Sequence, residues 1–465
     1  MKWLRRYPEI ITLTLLAFVT RLWGIFSPAA IVFDEVYFKV YAGDYLTGNY
    51  YFDPHPPLGK LILGAWAWIS RQDPTIVTGD HAAVMLRIVP AIAGALIIPV
   101  FFIFLRQLGA SKKVATLGTT LLLLDNALLV ESRFILIDSL LLLFGLSAIT
   151  MYLSARRSNG WQYWAKVSAS LALAGATAST KWTGISALGL IGVIWGVDII
   201  RRRRHLQIRR TLITGALMCT LPVLIYLATF WLHFQLLPNS GQGDAFMSQR
   251  FQQTLKGNPN YDPSVKLTFW EKFGDLNRAM RDSEESLKTA THPYGSKWYS
   301  WPLMIRPIYY WQGETAANGT QGNIYLLGNP VVWWGIPVVL LSVGLLTTKA
   351  AARLRRYRWQ IGLLVVAYIA NFLPFSQIVR VMFLYHYFFA LMYSLALAVI
   401  LLGIMADWNR DGEHPWHFSS AISKWIYIAT LTLALIGFIY IAPLSYGIPL
   451  NPVELTHHMW LNTWR

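Results

Sequence analysis

The chain has 465 residues, of which 55% are hydrophobic and only 14% are charged, and its mean hydropathy is +0.41. Soluble proteins carry about a quarter charged residues, so this composition excludes a soluble globular enzyme. The net charge of +17 does not indicate nucleic acid as a partner, because the basic residues cluster in short connections between apolar runs. The single cysteine, Cys219, excludes an intrachain disulfide. We therefore predict an all-α polytopic protein with membrane lipid around it.

Apolar runs long enough to cross a bilayer, which requires about 20 residues, recur along the chain. Lys and Arg concentrate in every second connection between these runs, which places the N-terminus in the cytoplasm and the C-terminus outside. We expect this topology in the plasma (inner) membrane. The eleven predicted spans lie near residues 9–27, 86–107, 113–130, 134–154, 161–179, 183–200, 211–236, 330–348, 360–376, 380–405 and 423–443.

Two long connections face the outside in this topology. The first, residues 28–85, contains "FDEVYF" and "FDPHPPLGK", and its segment Leu58–Ile69 is predicted to form an amphipathic helix along the membrane surface. The second, residues 238–329, contains "HPYGSKWYSWPLMIRPIYYW". Neither connection is long enough for a large additional domain, so residues 1–465 are predicted to form one membrane domain.

The acid pair Asp34 and Glu35 lies on the outer face, close to the end of the first span. One interpretation is a solvated pair, or caps of the following helix. The other is a general base next to a carboxylate that binds or orients a ligand. Adjacent residues point in different directions, so the two acids are not expected to do the same task.

Basic residues at other span ends also admit two interpretations. Arg87 opens the second span, where it could snorkel to water or bind a phosphate. Lys181, in the short turn "STKWTG", likewise could reach water or a ligand. Arg380 and His386 are predicted to lie too far apart along one helix to share a face, so at most one of them is expected to face a site.

Three charged residues, Glu131, Arg133 and Asp138, surround a tight turn, and we favour an internal ion-pair network there over direct catalysis. His55 and His292 each precede a proline and, with the acids, could bind a divalent metal. The chain lacks an HExxH motif and paired-His helix spacing, so a metal has little support and no cofactor is predicted. Gly-rich nucleotide loops are absent from the sequence.

Several of these motifs together resemble the protein O-mannosyltransferase family, which uses polyprenyl-phosphate sugars. The motifs are "FDEVYF", "FDPHPPLGK", "MLR", "ESRFILID", "STKWTG", "HPYGSKWYSWPL", "RPIYY" and "FLYHYF". They occur in the family's order and span most of the chain. The resemblance implies the multi-span GT-C glycosyltransferase fold with large outer loops.

The resemblance also implies a reaction, the transfer of mannose from a polyprenyl phosphate to a Ser or Thr hydroxyl of an exported protein, with inversion. Asp34 matches the family's catalytic acid, and Glu35 would support acceptor binding. The positions that match the donor side of the family's site are Arg87, Lys181, Tyr385 and His386. Other candidate site residues are His55, Lys60, Arg133, Asp138, His292, Trp298 and Arg380.

Two features depart from the family's best-known members. The second outer connection is too short for the MIR repeats of eukaryotic members, which resembles the bacterial form. The segment "MRDSEESLKTA" lacks an expected Tyr-His pair, which leaves acceptor and sugar identity open. The alternatives are another GT-C transferase that moves a sugar such as aminoarabinose to a lipid or glycan, and a transporter of lipid-linked sugars. Transporters place ionisable residues near the bilayer midplane, unlike this chain.

Overall fold

The computed structural model describes residues 8–79, 82–201, 207–343, 354–409 and 417–465, and these ranges are predominantly helical, as predicted. The helices are α1 (Pro8–Leu22), α2 (Glu35–Thr47), α3 (Leu58–Ile69), α4 (Pro74–Thr78), α5 (Ile88–Gln107), α6 (Lys112–Leu123), α7 (Asn126–Glu131), α8 (Asp138–Ala155), α9 (Gly160–Thr180), α10 (Ile185–Arg201), α11 (Ile208–Leu236), α12 (Gln249–Gln252), α13 (Phe269–Ser286), α14 (Pro330–Ser342), α15 (Arg358–Phe372), α16 (Phe388–Met405), α17 (Ala421–Tyr446) and α18 (Pro452–His458). The strands are β1 (Ile308–Thr315) and β2 (Gln321–Leu326).

Each of the eleven predicted spans coincides with a helix or a pair of helices. Within the described ranges, seven helical segments are long and apolar enough to cross a membrane: Val84–Gln107, Asp138–Ala155, Trp182–Arg201, Ile208–Leu236, Arg358–Gln377, Leu384–Met405 and Ala421–Tyr446. The predicted span 113–130 is divided between α6 and α7, because the Asp125 carboxylate accepts a hydrogen bond from the Leu128 amide and starts a new helix. Predicted residues 344–348 lie outside the described residues.

Two helices, α8 and α16, are surrounded by the others. α8 lies against α5 and α9, and α16 packs against α6, α14 and α15. Almost every side chain of α16 is buried, so this helix is at the centre of the protein. α11 and α17 expose most of their apolar side chains, as expected of helices that face lipid.

The first long connection folds into α2, α3 and α4, and α2 packs against both α3 and α4. Gly59 allows α3 to approach the turn before α8, since a Cβ atom at this position would lie 2.7 Å from Cγ2 of Ile137. This close approach brings the "HPPLGK" segment next to the start of α8.

The second long connection contains a β-hairpin that the sequence analysis did not predict. β1 and β2 pair in antiparallel fashion with Ile308 opposite Leu326. The hairpin tip is a turn in which the Gly319 amide donates to the Ala316 carbonyl, with Gly319 at φ +79°. β2 packs on α7 and α17, so the hairpin is fixed to the helical bundle.

A buried ion pair joins the first long connection to the bundle. The Arg87 Nε and Nη2 atoms each lie 2.7 Å from a Glu35 carboxylate oxygen, and both side chains are at most 1% exposed. The amides of Val32 and Ile135 also donate to Glu35, at 2.9 and 3.0 Å. Arg87 donates its remaining hydrogen bonds to the carbonyls of residues 25, 28 and 30. This network fixes the start of α2 on both sides.

We predict that Arg87→Met lowers the free energy of unfolding by about 3 to 5 kcal/mol, because it leaves the Glu35 carboxylate buried and unpaired. Thermal unfolding of the purified protein in detergent measures the effect. Arg250→Ala is the matched control, since the Arg250–Glu271 pair is 3.2 Å long and its side chains are 65% and 40% exposed. Equal melting temperatures for the two variants would contradict the prediction.

Candidate active site

A tight turn over residues 32–35 presents Asp34 at its tip. The Glu35 amide donates to the Val32 carbonyl at 3.1 Å, while the Val32 amide donates to the Glu35 carboxylate. Phe33, within the turn, has φ +49°, a conformation that costs free energy for a residue other than glycine. The Phe33 ring is stacked on Tyr310 of β1, with centroids 4.3 Å apart. The first long connection and the hairpin therefore determine the position of Asp34 together.

The Asp34 carboxylate is available for chemistry. Asp34 occupies the N-cap position of α2 but its side chain does not cap the helix, and no described residue donates a hydrogen bond to it. Burial raises its pKa to about 6, although the positive charge of Lys181 lowers the pKa. A carboxylate with this pKa can accept a proton near neutral pH.

Lys181 lies at the end of α9 in extended backbone conformation. The turn that follows requires Gly184, because a Cβ atom there would lie 2.4 Å from the Thr177 carbonyl oxygen. Lys181 Nζ lies 2.6 and 2.9 Å from the two carboxylate oxygens of Asp138, and 5.0 Å from the ring centroid of Tyr385. Asp138 and Tyr385 therefore hold the ammonium group in place.

A cavity of about 560 Å³ begins at this ammonium group and has two chemically different parts. Its polar part is lined by His55, Glu284, Asp138, Lys181, Arg380, Tyr385 and His386. Its apolar part is lined by α8, α10 and α15, including Leu141, Leu142, Ile185, Leu190, Val193, Val366 and Ala370. The cavity can therefore hold a ligand with an anionic head and a hydrocarbon tail.

Arg380 and His386 both line the cavity, so the prediction that at most one of them faces a site is wrong. The predicted helix was expected to include Arg380, but residues 378–383 are not helical and helical structure begins at Leu384. Arg380 pairs with Glu284 of α13 at 2.6 Å. His386 is stacked between Tyr385 and Trp301, with centroid distances of 4.6 and 5.9 Å.

His55 also reaches the cavity, held by the segment around it. The His55 amide donates to Asp53 at 2.8 Å, and Lys60 Nζ pairs with Asp53 at 2.9 Å. Lys60 also donates to the carbonyls of His55 and Pro56. Burial lowers the pKa of His55 well below its usual range, so the imidazole is neutral. Lys60, a candidate site residue, thus holds the loop that carries His55.

The predicted ion-pair network between Glu131, Arg133 and Asp138 does not form between these described side chains. Glu131 accepts a hydrogen bond from the Tyr310 hydroxyl, and Asp138 pairs with Lys181. Arg133 donates to three carbonyls at the end of α1, those of residues 21, 23 and 24, at 2.6 to 3.0 Å. The prediction was wrong because each residue has a partner from a distant segment, which sequence spacing does not reveal.

Two other candidates lie away from the cavity lining. The exposed His292 ring contacts Phe383 edge-on at 5.0 Å, and Trp298 contacts Phe372 in the same way at 4.9 Å. Sequence reasoning missed Glu284 and the role of Tyr310, although Tyr310 belongs to the "RPIYY" motif. Among the described residues, no group of three or more His, Cys, Asp and Glu side chains is arranged to hold a metal ion.

Comparison with solved structures identifies the fold. The yeast (Saccharomyces cerevisiae) protein O-mannosyltransferase Pmt1–Pmt2 complex bound to its sugar donor matches with a TM-score of 0.86 at 18% identity, over 98% of this chain and 92% of that chain. The archaeal oligosaccharyltransferase AglB from Archaeoglobus fulgidus matches with a TM-score of 0.56 at 14% identity, over 97% of this chain and 57% of that chain. The fold is therefore that of the GT-C glycosyltransferases.

Curated relatives match at higher identity. The chain is 30% identical to dolichyl-phosphate-mannose–protein mannosyltransferase 4 of Candida albicans, over 68% of this chain and 43% of that protein. It is 30% identical to protein O-mannosyl-transferase 1 of Danio rerio, over 70% of this chain and 46% of that protein. The chain thus spans less than half the length of these two relatives.

Family models cover both halves of the chain. The model described as "Dolichyl-phosphate-mannose-protein mannosyltransferase" matches residues 11–238. The model described as "C-terminal four TMM region of protein-O-mannosyltransferase" matches residues 269–464. Because both models belong to one family and together match most of the sequence, this chain belongs to the protein O-mannosyltransferase family.

Proposed function

We propose that the protein transfers mannose from a polyprenyl phosphate, of which dolichyl phosphate is one kind, to Ser or Thr hydroxyls of exported proteins. The observation that carries the proposal is the combination of an acid, a cation and a cavity at the site. A carboxylate without a hydrogen-bond donor among the described residues, Asp34, interacts electrostatically with Lys181, and Lys181 lines the polar part of the cavity. The names of the curated relatives supply the sugar and the class of acceptor.

The reaction then proceeds in one displacement. The acceptor hydroxyl oxygen forms a bond to the anomeric carbon while Asp34 takes the hydroxyl proton. The bond from the anomeric carbon to the phosphate oxygen breaks, and its electron pair stays on the phosphate. A phosphate is a stable anion, so its departure needs positive charge rather than a general acid. Attack on the side opposite the phosphate inverts the anomeric centre.

The cavity supports a lipid-linked donor. Lys181 and Arg380 line its polar part and can receive the phosphate, although each now pairs with a carboxylate, Asp138 or Glu284. The neutral His55 can exchange hydrogen bonds with sugar hydroxyls. The apolar part between α10 and α15 suits the prenyl chain. We place Tyr385 and His386 on the donor side, as their family motif implies.

Glu35 and Arg87 receive a different role in this proposal. The sequence resemblance assigned Glu35 to the acceptor and Arg87 to the donor phosphate. Both side chains are buried and use their charged atoms on each other and on the backbone. We therefore propose that they position Asp34 rather than contact either substrate.

The site's location follows from the topology that Lys and Arg indicate. We propose that residues 1–465 form one GT-C membrane domain in the plasma (inner) membrane, with a cytoplasmic N-terminus and the C-terminus and site on the outer face. The donor's prenyl chain would then remain in the outer leaflet while exported proteins reach Asp34 from outside.

Asp34→Asn should reduce transfer by several orders of magnitude without loss of folding, because the amide cannot accept the hydroxyl proton. The assay uses purified protein, polyprenyl-phosphate mannose and a Ser/Thr-rich peptide, with product detected by mass spectrometry. Asp44→Asn is the matched control, since Asp44 is a buried acid within α2 that accepts a hydrogen bond from Gln242 and does not line the cavity. Retained transfer by Asp34→Asn would refute the role of the base.

The rate should also depend on the ionisation of Asp34. Its raised pKa of about 6 means that the active carboxylate is lost as the pH falls through this value. We expect kcat/KM to be constant above pH 7 and to fall about tenfold from pH 7 to pH 5. Measurement of kcat/KM from pH 5 to 8 tests this expectation, and a flat profile across the range would contradict it.

Lys181→Met should weaken donor binding at least about tenfold, because a desolvated charge–phosphate contact is lost. Equilibrium binding of polyprenyl-phosphate mannose measures the change. Lys166→Met, at the other end of α9, is the control, since Lys166 Nζ bonds only Ser154 and Ser158 among the described residues. Equal donor affinities of the Lys181→Met and Lys166→Met variants would mean that the phosphate binds elsewhere. Transfer of a different lipid-linked sugar by the wild-type protein would favour another GT-C activity.

A further inference from the structure

We propose that Tyr310 is a positioning residue that holds Phe33, and through it the adjacent Asp34, in the geometry needed for transfer. The inference rests on the proposed role of Asp34 as the base. It assigns to the hairpin of the second outer connection a direct part in the reaction. No contact between Tyr310 and a substrate is required.

The first observation is the contact between the two rings. Phe33 and Tyr310 are stacked nearly parallel, with centroids 4.3 Å apart and an interplanar angle of 8°. Phe33 has φ +49°, which a residue other than glycine keeps only where its surroundings fix it. A turn that relaxed to negative φ would redirect the neighbouring Asp34 side chain. The stacked ring of Tyr310 opposes this relaxation.

The second observation is the hydrogen bond that fixes the Tyr310 ring. The Tyr310 hydroxyl donates to Oε2 of Glu131 at 2.6 Å, and the two residues are 5% and 1% exposed. A buried tyrosine hydroxyl needs a partner, and a buried carboxylate needs a donor. Glu131 ends α7, a helix of the bundle, so the bond ties the hairpin ring to a fixed point.

A third set of contacts links Tyr310, through other side chains, to Glu35 at the end of the turn over residues 32–35. The ring of Phe134 meets Tyr310 edge-on at 6.2 Å, and the guanidinium of Arg87 lies 5.0 Å from the Phe134 centroid. Arg87 in turn binds Glu35. Both neighbours of Asp34 in the sequence are therefore fixed, Phe33 by Tyr310 and Glu35 by Arg87.

A residue that only fills the core would not require its hydroxyl for the chemical step. Tyr310→Phe keeps the ring and removes only the hydroxyl, so the ring loses its tether to Glu131. Displacement of a reacting group by about 1 Å can reduce a rate by about 100-fold. We expect Tyr310→Phe to lower kcat by about 10- to 100-fold while the donor KM stays unchanged. The melting temperature should fall modestly, because the buried Glu131 carboxylate loses its donor.

Two further variants test the two contacts of Tyr310 separately. Glu131→Gln keeps an oxygen that can accept the Tyr310 hydroxyl, so its kcat should stay close to that of the wild type. Phe33→Leu removes the stacked ring and should lower kcat as Tyr310→Phe does. The double variant Phe33→Leu/Tyr310→Phe should be no slower than the slower single variant, because both changes break one chain of contacts.

The experiment measures kcat, donor KM and melting temperature for these variants alongside Asp34→Asn. A lowered kcat with unchanged donor KM for Tyr310→Phe, and near-normal kcat for Glu131→Gln, supports the proposal. Wild-type kcat for Tyr310→Phe, or a change of donor KM as large as the change of kcat, overturns it. If Tyr310→Phe does not fold, Phe33→Leu decides by the same criteria. Transfer by Asp34→Asn would instead refute the proposed function itself.

Discussion

The buried pair of Glu35 and Arg87 is the interaction on which the arrangement of the site depends. An ion pair at most 1% exposed is stable only if nearly every polar atom has a partner, and here backbone groups from two segments, residues 25–32 and Ile135, provide those partners. The pair therefore fixes the first long connection to the bundle. It also accounts for the two adjacent acids in "FDEVYF": Glu35 fixes the turn, which leaves the carboxylate of Asp34 without a structural role.

Charged side chains elsewhere in the site also fall into two groups, those that hold the chain in place and those that line the cavity. Lys60 binds Asp53 and two backbone carbonyls, and Arg133 binds backbone carbonyls, whereas Lys181 and Arg380 pair with carboxylates at the lining of the cavity. Side-chain pairs at a cavity surface can be rearranged around an incoming anion more readily than a fully enclosed pair. The cavity continues from these cations to apolar side chains, which matches a ligand that carries its charge at one end.

The sequence predicted the helical class and the positions of the apolar helices, because length and hydropathy are local properties. It did not predict which charges pair, since Glu131 meets Tyr310 and Asp138 meets Lys181 across large sequence separations. The β-hairpin was also missed, although Asn318-Gly319 between "IYYWQGET" and "QGNIYL" is a hairpin signal. Arg380 was assigned to a helix because its neighbours are apolar, but the chain there is not helical.

The central claim is that a hydroxyl activated by Asp34 displaces a lipid phosphate in one step. The most direct measurement is the anomeric configuration of the mannosyl-peptide that the purified protein forms from a donor of known configuration, determined by NMR spectroscopy. A single displacement predicts the inverted configuration in the product. Retention of the donor's configuration would require a second displacement through a covalent intermediate and would contradict the claim.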